Sequence, residues 1–93
     1  MTRLKVAHLR EQGQDMVIVP LDSSFGLKSE QEQKEIIDEL QMRSRAAGLK
    51  GTVIPVWENS GRIHFIAPHR WHPFFQSLSM HQIWANINKE ISW

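Results

Sequence analysis

The chain has 93 residues, of which 41% are hydrophobic and 23% are charged, and these values predict a single globular domain over residues 1–93. The formal net charge of +1 disfavours a dedicated nucleic-acid binder, because such proteins are usually more basic. The chain has no cysteine, which excludes disulfides, thiolate nucleophiles and cysteine-ligated metals.

The same features predict the compartment. A cysteine-free chain without an apolar N-terminal signal segment is typical of a cytoplasmic protein, in the simplest case a bacterial one. No apolar run approaches the roughly 20 residues that a transmembrane helix needs. We therefore expect no membrane association.

The first third of the chain predicts a hairpin followed by a loop. Residues 3–10 alternate weakly between apolar and polar types, and residues 16–21 form an apolar run typical of a buried strand. The polar stretch 11–15 has a central glycine, Gly13, and predicts the turn between the two strands. Residues 22–28 are rich in turn formers and predict a loop.

A long amphipathic helix is predicted over about residues 30–47. Ser29 and Glu32 have the spacing of a capping box, in which each side chain accepts the backbone N–H of the other residue. Gly48 is a typical residue just beyond a helix C-terminus. Apolar residues recur in a narrow stripe at Ile36, Ile37, Leu40 and Ala47.

Residues 51–78 predict a second hairpin that leads into an aromatic segment. The arms are residues 52–57 and 62–67, joined by a turn over 58–61. Pro55 cannot donate a hydrogen bond to a neighbouring strand, so its N–H side is predicted to lie at an edge or a bulge. This stretch holds five of the chain's eight aromatic residues, namely Trp57, Phe65, Trp71, Phe74 and Phe75.

Two helical segments are predicted after the second hairpin. In the aromatic segment, residues 69–78, the spacing of the aromatic side chains predicts one or two helical turns that fold against the sheet. Ser79 and Gln82 form a second capping box, which predicts a helix from about residue 80 to residue 90 or 91. Its apolar stripe consists of Ile83, Ile87 and Ile91.

The order of elements, close to β-β-α-β-β-α, predicts an α+β fold. We expect two layers, a four-stranded antiparallel sheet with the helices on one face. The residues on the most apolar face of each element predict the core: Val17, Val19, Ile36, Ile37, Leu40, Val53, Phe65, Ile83 and Ile87.

The residues that could carry chemistry do not form a catalytic motif. No serine has a G-x-S-x-G context, so we predict that the protein is not an enzyme and has no cofactor. Four histidines lie in or near the aromatic segment: His64, His69, His72 and His81. Their spacing matches no metal-ligand motif, so no bound metal is expected. A metal-dependent enzyme built on these histidines is the third hypothesis for function.

The first hypothesis is a small interaction module that contacts a partner protein or a second copy of itself. Its contact residues would be Arg70 and Trp71 in the aromatic segment, Trp84 in the C-terminal helix and Trp93 just beyond that helix, because tryptophan and arginine are enriched at interface hot spots. Trp84 lies about 100° around the helix from Ile83, at the boundary between core and solvent. The alternative interpretation of the aromatic segment is that its side chains simply fill the core.

The second hypothesis is a weak, non-specific nucleic-acid binder. Five basic residues would gather on the outer face of the sheet if the two hairpins pair: Arg3, Lys5, Arg10, Arg62 and His64. A basic sheet face with nearby aromatic side chains can bind single strands by stacking. Acidic residues in the adjoining turns and the near-neutral net charge favour a protein partner instead.

Overall fold

The described part of the chain forms five strands and three helices. The structure is a computed structural model that describes residues 3–11 and 13–92. The strands are β1 (Arg3–Glu11), β2 (Gln14–Pro20), β3 (Thr52–Asn59), β4 (Arg62–Phe65) and β5 (Lys89–Ser92). The helices are α1 (Glu30–Ala46), α2 (His72–Gln76) and α3 (Met80–Ala85), and two 3₁₀ turns occupy Ser23–Leu27 and His69–Trp71. The fold is α+β, as the sequence predicts.

The strands form one mixed sheet in the order β4-β3-β2-β1-β5. Both predicted hairpins are present, because β1 pairs antiparallel with β2, and β3 with β4. The strands β2 and β3 are parallel, since α1 carries the chain back across the sheet between them. The prediction of a four-stranded, fully antiparallel sheet is therefore wrong in strand number and in this one pairing.

The fifth strand replaces the second half of the predicted C-terminal helix. Helix α3 ends at Ala85, and β5 then pairs antiparallel with β1, where it buries Ile91. The Asn88 side chain prolongs this pairing, because its Oδ1 accepts the His8 N–H at 2.8 Å and its Nδ2 donates to the His8 carbonyl at 2.9 Å. An isoleucine repeat of four residues fits a helix, but β-branched residues also suit a strand.

Helices cover both faces of the sheet, which corrects the prediction of helices on one face. Between α1 and the sheet lies one cluster of buried side chains, which includes Leu40 of α1 itself: Val6, Val17, Val19, Leu40, Leu49, Val53 and Ile91. Under α2 and α3 lies the second: Ala7, Met16, Ile18, Ile54, Val56, Trp71, Phe75 and Ile83. Because neighbouring residues of β2 belong to different clusters, β2 is apolar on both sides, as is typical of a strand covered on both faces.

Eight of the nine predicted core residues belong to or pack against these two clusters, Ile37 being the exception, and the nine differ in burial. Five of them are buried: Val17, Val19, Leu40, Val53 and Ile83. The other four are half-buried: Ile36, Ile37, Phe65 and Ile87. Phe65 is only half-buried because β4 is an edge strand of the sheet.

Pro55 lies at the point where β4 separates from β3. Its carbonyl accepts the N–H of Ile66 at 3.2 Å, so the missing N–H of Pro55 also faces the β4 side. The paired residues of β3 and β4 begin one residue later, at Val56 and Phe65. The proline therefore lies in an interior strand, which corrects the predicted position at an edge or a bulge, and its donor-less side faces the end of the β3–β4 ladder.

On the N-terminal side of Pro55, the side chain of Gln41 forms the hydrogen bonds to β3 that a neighbouring strand would otherwise form. Its Nε2 donates to the Gly51 carbonyl at 3.0 Å, and its Oε1 accepts the Val53 N–H at 2.9 Å. A single amide group thus satisfies a backbone acceptor and a backbone donor at the start of β3. This contact ties the middle of α1 to the sheet.

We expect Gln41→Met to lower the free energy of unfolding by about 2 kcal/mol, because two backbone groups lose their partners while side-chain volume is nearly kept. Urea unfolding followed by circular dichroism measures this loss. Gln31→Met is the matched control, because Gln31 is exposed on the same helix and its side chain donates to the exposed Glu35 rather than to the backbone of the sheet. A loss no larger than that of the control would show that water replaces the Gln41 amide without cost.

Candidate interaction surface

A cleft of about 280 Å³ opens beside α3, between the helices and the β1–β2 hairpin. We refer to it as the hairpin cleft. Its apolar lining consists of Ala7, Leu9, Ile18, Phe74, Leu78 and Ile83, and its polar lining of Arg10, Glu11, Gln82 and Asn86. The helices α2 and α3, each under about 10 Å long, cannot cover a hairpin of roughly 25–30 Å. The cleft is the part of the hairpin that they leave open.

Capping interactions at both ends hold the short helix α3 in place. The Ser79 Oγ accepts the Gln82 N–H at 3.2 Å, and the Gln82 Oε1 accepts the Ser79 N–H at 2.8 Å, which confirms the predicted capping box. At the C-terminus, the Asn86 Nδ2 donates to the Gln82 carbonyl at 2.7 Å. Ile83 is buried and anchors the helix on the sheet. These contacts fix the direction in which the other side chains of α3 point.

Trp84 is the tryptophan that this helix presents to solvent. Its side chain is 52% exposed, whereas Trp57 and Trp71 are 8% and 5% exposed. At about 100° per residue, Trp84 lies on one flank of α3, and Gln82, on the cleft side, lies about 200° away. Trp84 and the hairpin cleft therefore border the same helix on opposite flanks. We call Trp84 together with the hairpin cleft the Trp84 surface.

The other predicted contact residues have different environments. Trp71 is buried in the cluster under α2 and α3, so its expected role as a contact residue is wrong and the core-filling interpretation is confirmed for it. Arg70 is exposed, and its guanidinium carbon lies 5.2 Å from the centre of the Trp71 ring. Such a cation–π contact fixes the arginine at the surface. Trp93 lies outside the described residues, so its contact role stays a prediction.

Relatives give no further guide to the function. Comparison of the chain with family models, curated proteins and solved structures finds no match. None of the described helices is long and apolar enough to cross a membrane. Any assignment of function therefore depends on the surfaces of the molecule itself.

The histidines are not gathered at one place. His64 stacks on Trp57 on the α1 face of the sheet, with ring centres 5.9 Å apart. His69 and His72 lie on the other side, with ring centres 5.1 Å apart, and the His72 Nε2 is 3.0 Å from the Ala67 carbonyl oxygen. Within residues 3–11 and 13–92, no group of three potential metal ligands is close enough to hold an ion. The absence of a bound metal stays a prediction.

The five basic residues of the second hypothesis are likewise not brought onto one face. Arg3 and Lys5 alternate with the α1-facing residues Leu4 and Val6, so they lie on the same face of the sheet as Ala7, where both are exposed. Arg62 and His64 alternate with Ile63 and Phe65, so they lie on the α1 face. The strands β1 and β4 are also separated by β2 and β3, which puts them about 14 Å apart.

The remaining member of that set, Arg10, borders the hairpin cleft beside Glu11. The cleft therefore combines an apolar floor with one positive and one negative side chain at its edge. Nothing in the local sequence pattern indicates this juxtaposition, because residues 9–11 and 74–86 meet only through tertiary packing. Trp84, in contrast, is found from its helical angle alone.

A second groove, of about 380 Å³, separates α1 from the end of β4. It is lined by Glu30, Gln33, Lys34, Ile37 and Ile66. Asp38 accepts a hydrogen bond from Lys34 at 2.8 Å, and this bond, together with the charge of Asp38, raises the pKa of Lys34. Ile66 is 39% exposed on the polar side of the second hairpin. The signal for it in the sequence is an isoleucine that shares a face with Arg62 and His64.

Proposed function

We propose that the protein is a non-catalytic interaction module that binds a partner protein through the Trp84 surface. The observation that carries the proposal is the exposure of Trp84, at 52%, in a chain whose other described tryptophans are buried. A tryptophan side chain can bury roughly 150–250 Å² on contact, and tryptophan is the residue type most enriched at binding hot spots.

The hairpin cleft supports the same proposal because it is an apolar pocket into which a side chain of a partner could insert. Its apolar floor and volume of about 280 Å³ suit one or two apolar side chains. Arg10 and Glu11 at its edge provide charges of both signs, as in the polar rim of many protein interfaces. A partner that contacts both flanks of α3 would cover Trp84 and insert an apolar anchor into the cleft.

The rigid presentation of Trp84 also favours binding. Ordering a flexible side chain or helix on association costs free energy, which lowers affinity. Here the capping box of Ser79 and Gln82 and the buried Ile83 already hold α3. Little ordering of this helix would be needed when a partner binds.

The other hypotheses have less support. A nucleic-acid interface would need Arg3 and Lys5 to act together with Arg62 and His64, which lie on the opposite face of the sheet. With so few phosphates contacted from either face, binding would be weak and its salt dependence shallow. A metal-dependent enzyme built on the histidines is supported by no cluster of three ligands among the described residues.

The proposal is tested with a photo-crosslinking amino acid at position 84 in the source cell. We expect a discrete crosslinked protein, because the side chain at this position would lie in the interface. Position 42 is the matched control, since Met42 is also an exposed apolar residue on a helix but lies on α1. A protein crosslinked equally from both positions would be a non-specific neighbour.

With that protein purified, Trp84→Ser is expected to raise the dissociation constant about 30-fold or more, the effect of losing a hot-spot residue. Met42→Ser is expected to leave affinity unchanged within about twofold, as for a residue outside the interface. Isothermal titration calorimetry measures both constants, and circular dichroism checks that both variants are folded. Equal affinities for the parent chain and Trp84→Ser would reject the proposed function.

A further inference from the structure

The strand β4 has a regular outer edge whose backbone groups can be assigned from the hairpin turn. Ser60 and Gly61 have φ angles of 55° and 75° and form a two-residue turn, so Asn59 and Arg62 are a hydrogen-bonded pair. Hydrogen-bonded pairs recur at every second residue of an antiparallel ladder. The backbone groups of His64 therefore also face β3, and those of Ile63 and Phe65 face outward.

This edge differs from the edge at the other side of the sheet. The described part of β5 carries Lys89 and Glu90, and charged side chains are a common protection of edge strands. The strand β4 has a single charged residue, Arg62, beside the hairpin turn, and the rest of the strand, Ile63 to Phe65, is followed by the exposed Ile66. No other strand of the described residues lies beyond β4.

We propose that β4 pairs antiparallel with β4 of a second copy of the chain, with His64 opposite His64, to form one continuous ten-stranded sheet. In this register the outward N–H and C=O groups of Ile63 meet those of Phe65 in the second copy, and the reverse pair forms by symmetry. Each of these two pairs exchanges two backbone hydrogen bonds, so the two copies form four hydrogen bonds in total. This inference goes beyond the proposed function, because it uses a surface separate from the Trp84 surface.

The side chains of β4 complement one another in the same register. On the α2 and α3 face, Ile63 of each copy lies opposite Phe65 of the other, and both are half-buried in a single copy. A β-branched residue opposite an aromatic one is a favourable cross-strand pair. On the α1 face, the exposed Ile66 lies opposite Arg62, whose aliphatic stem can cover it.

A second copy is favoured over an unrelated strand because β4 is complementary to itself in one register. Shifting the register by two residues would bring Ile63 opposite Ile63, or Phe65 opposite Phe65, and would leave the outward groups of other residues unpaired. The register with His64 at the twofold axis alone pairs all four outward groups of β4. It also brings the two different apolar residues together twice.

Sedimentation velocity of the full chain, from about 1 to 100 μM, tests the proposal. We expect a monomer–dimer equilibrium for the parent chain. Ile66→Lys places a second positive charge opposite Arg62 at two symmetric positions and is expected to raise the dimer dissociation constant about tenfold. The double variant R62D/I66K has opposite charges at these positions and is expected to restore dimerisation. Circular dichroism checks that each variant is folded.

Three results would overturn the proposal: a parent chain that stays monomeric at 100 μM, a dimer that Ile66→Lys does not weaken, or a dimer that the double variant does not restore. Trp84→Ser is the control, since it should leave the dimer unchanged. If Trp84→Ser causes the dimer to dissociate while Ile66→Lys does not, the dimer interface is the Trp84 surface and not β4. The crosslinking at position 84 tests the proposed function independently of all these outcomes.

Discussion

Replacing Phe75 by alanine is expected to lower the free energy of unfolding by about 3–5 kcal/mol, the usual cost of removing a buried phenylalanine. Phe75 is fully buried, and its ring centre lies 5.2 Å from those of Phe65 and Phe74. It joins α2 to the sheet, where the cluster under α2 and α3 has its largest fully buried side chain. Small domains have a total stability of about 5–15 kcal/mol, so the variant will unfold at markedly lower urea concentration.

The matched control is Phe65→Ala, which removes the same atoms from the other member of the ring pair. Phe65 is half-buried on the edge strand β4, so we expect about half the loss, roughly 2 kcal/mol. Urea unfolding followed by tryptophan fluorescence compares the two variants. A loss for Phe65→Ala equal to or larger than that for Phe75→Ala would mean that the burial of the two rings has been assigned incorrectly.

These two phenylalanines also show which structural features the sequence pattern predicts and which it does not. Alternation along residues 62–67 correctly predicts that Phe65 faces the core, but alternation has no information about which strand lies at the edge. The helical spacing of Trp71, Phe74 and Phe75 predicts a helical turn that packs on the sheet, and α2 confirms it. The relative burial of the two rings depends on the strand order, which only tertiary contacts determine.

Four of the five strands could be predicted from the sequence, but their arrangement in the sheet could not. Hydrophobic runs and turn residues predict β1 to β4 and α1, because those signals are local. The uninterrupted apolar run of β2, Met16 to Val19, is typical of a strand covered on both faces, so it is the residue pattern that indicates the two helical layers. The strand β5 is harder, since Ile91 fits the predicted helix and its pairing with Leu4 joins opposite ends of the chain.

The interaction surface could likewise be predicted only in part from the sequence. The angle between Ile83 and Trp84 follows from helix geometry, so the boundary position of Trp84 could be predicted. The burial of Trp71 could not, because a tryptophan beside an arginine suits a core and an interface equally well. The hairpin cleft joins Arg10 and Glu11 to α3, and no local pattern connects residues so far apart in sequence.

The start of β3 is expected to be the position least tolerant of a side chain. Gly51 has a φ of 111°, a conformation that residues with a Cβ rarely adopt, and an added Cβ would overlap the backbone of Asp15 and Met16. This close approach is where the parallel pairing of Met16 with Thr52 begins. The Gly51 carbonyl is also the acceptor for Gln41. A displaced backbone would therefore weaken both the parallel ladder and the contact with α1.

We expect Gly51→Ala to lower the free energy of unfolding by about 3 kcal/mol or more, from the strained φ and the steric overlap together. Gly48→Ala is the matched control, because Gly48 has a φ of 82° but an added Cβ there would have no atom of the described residues within 4 Å. The control isolates the conformational cost, which is about 1–2 kcal/mol. Urea unfolding of both variants gives the steric contribution as the difference between their losses. Equal losses would show that β2 and β3 can separate at Asp15 without cost, and the close backbone contact would then not be what requires glycine at this position.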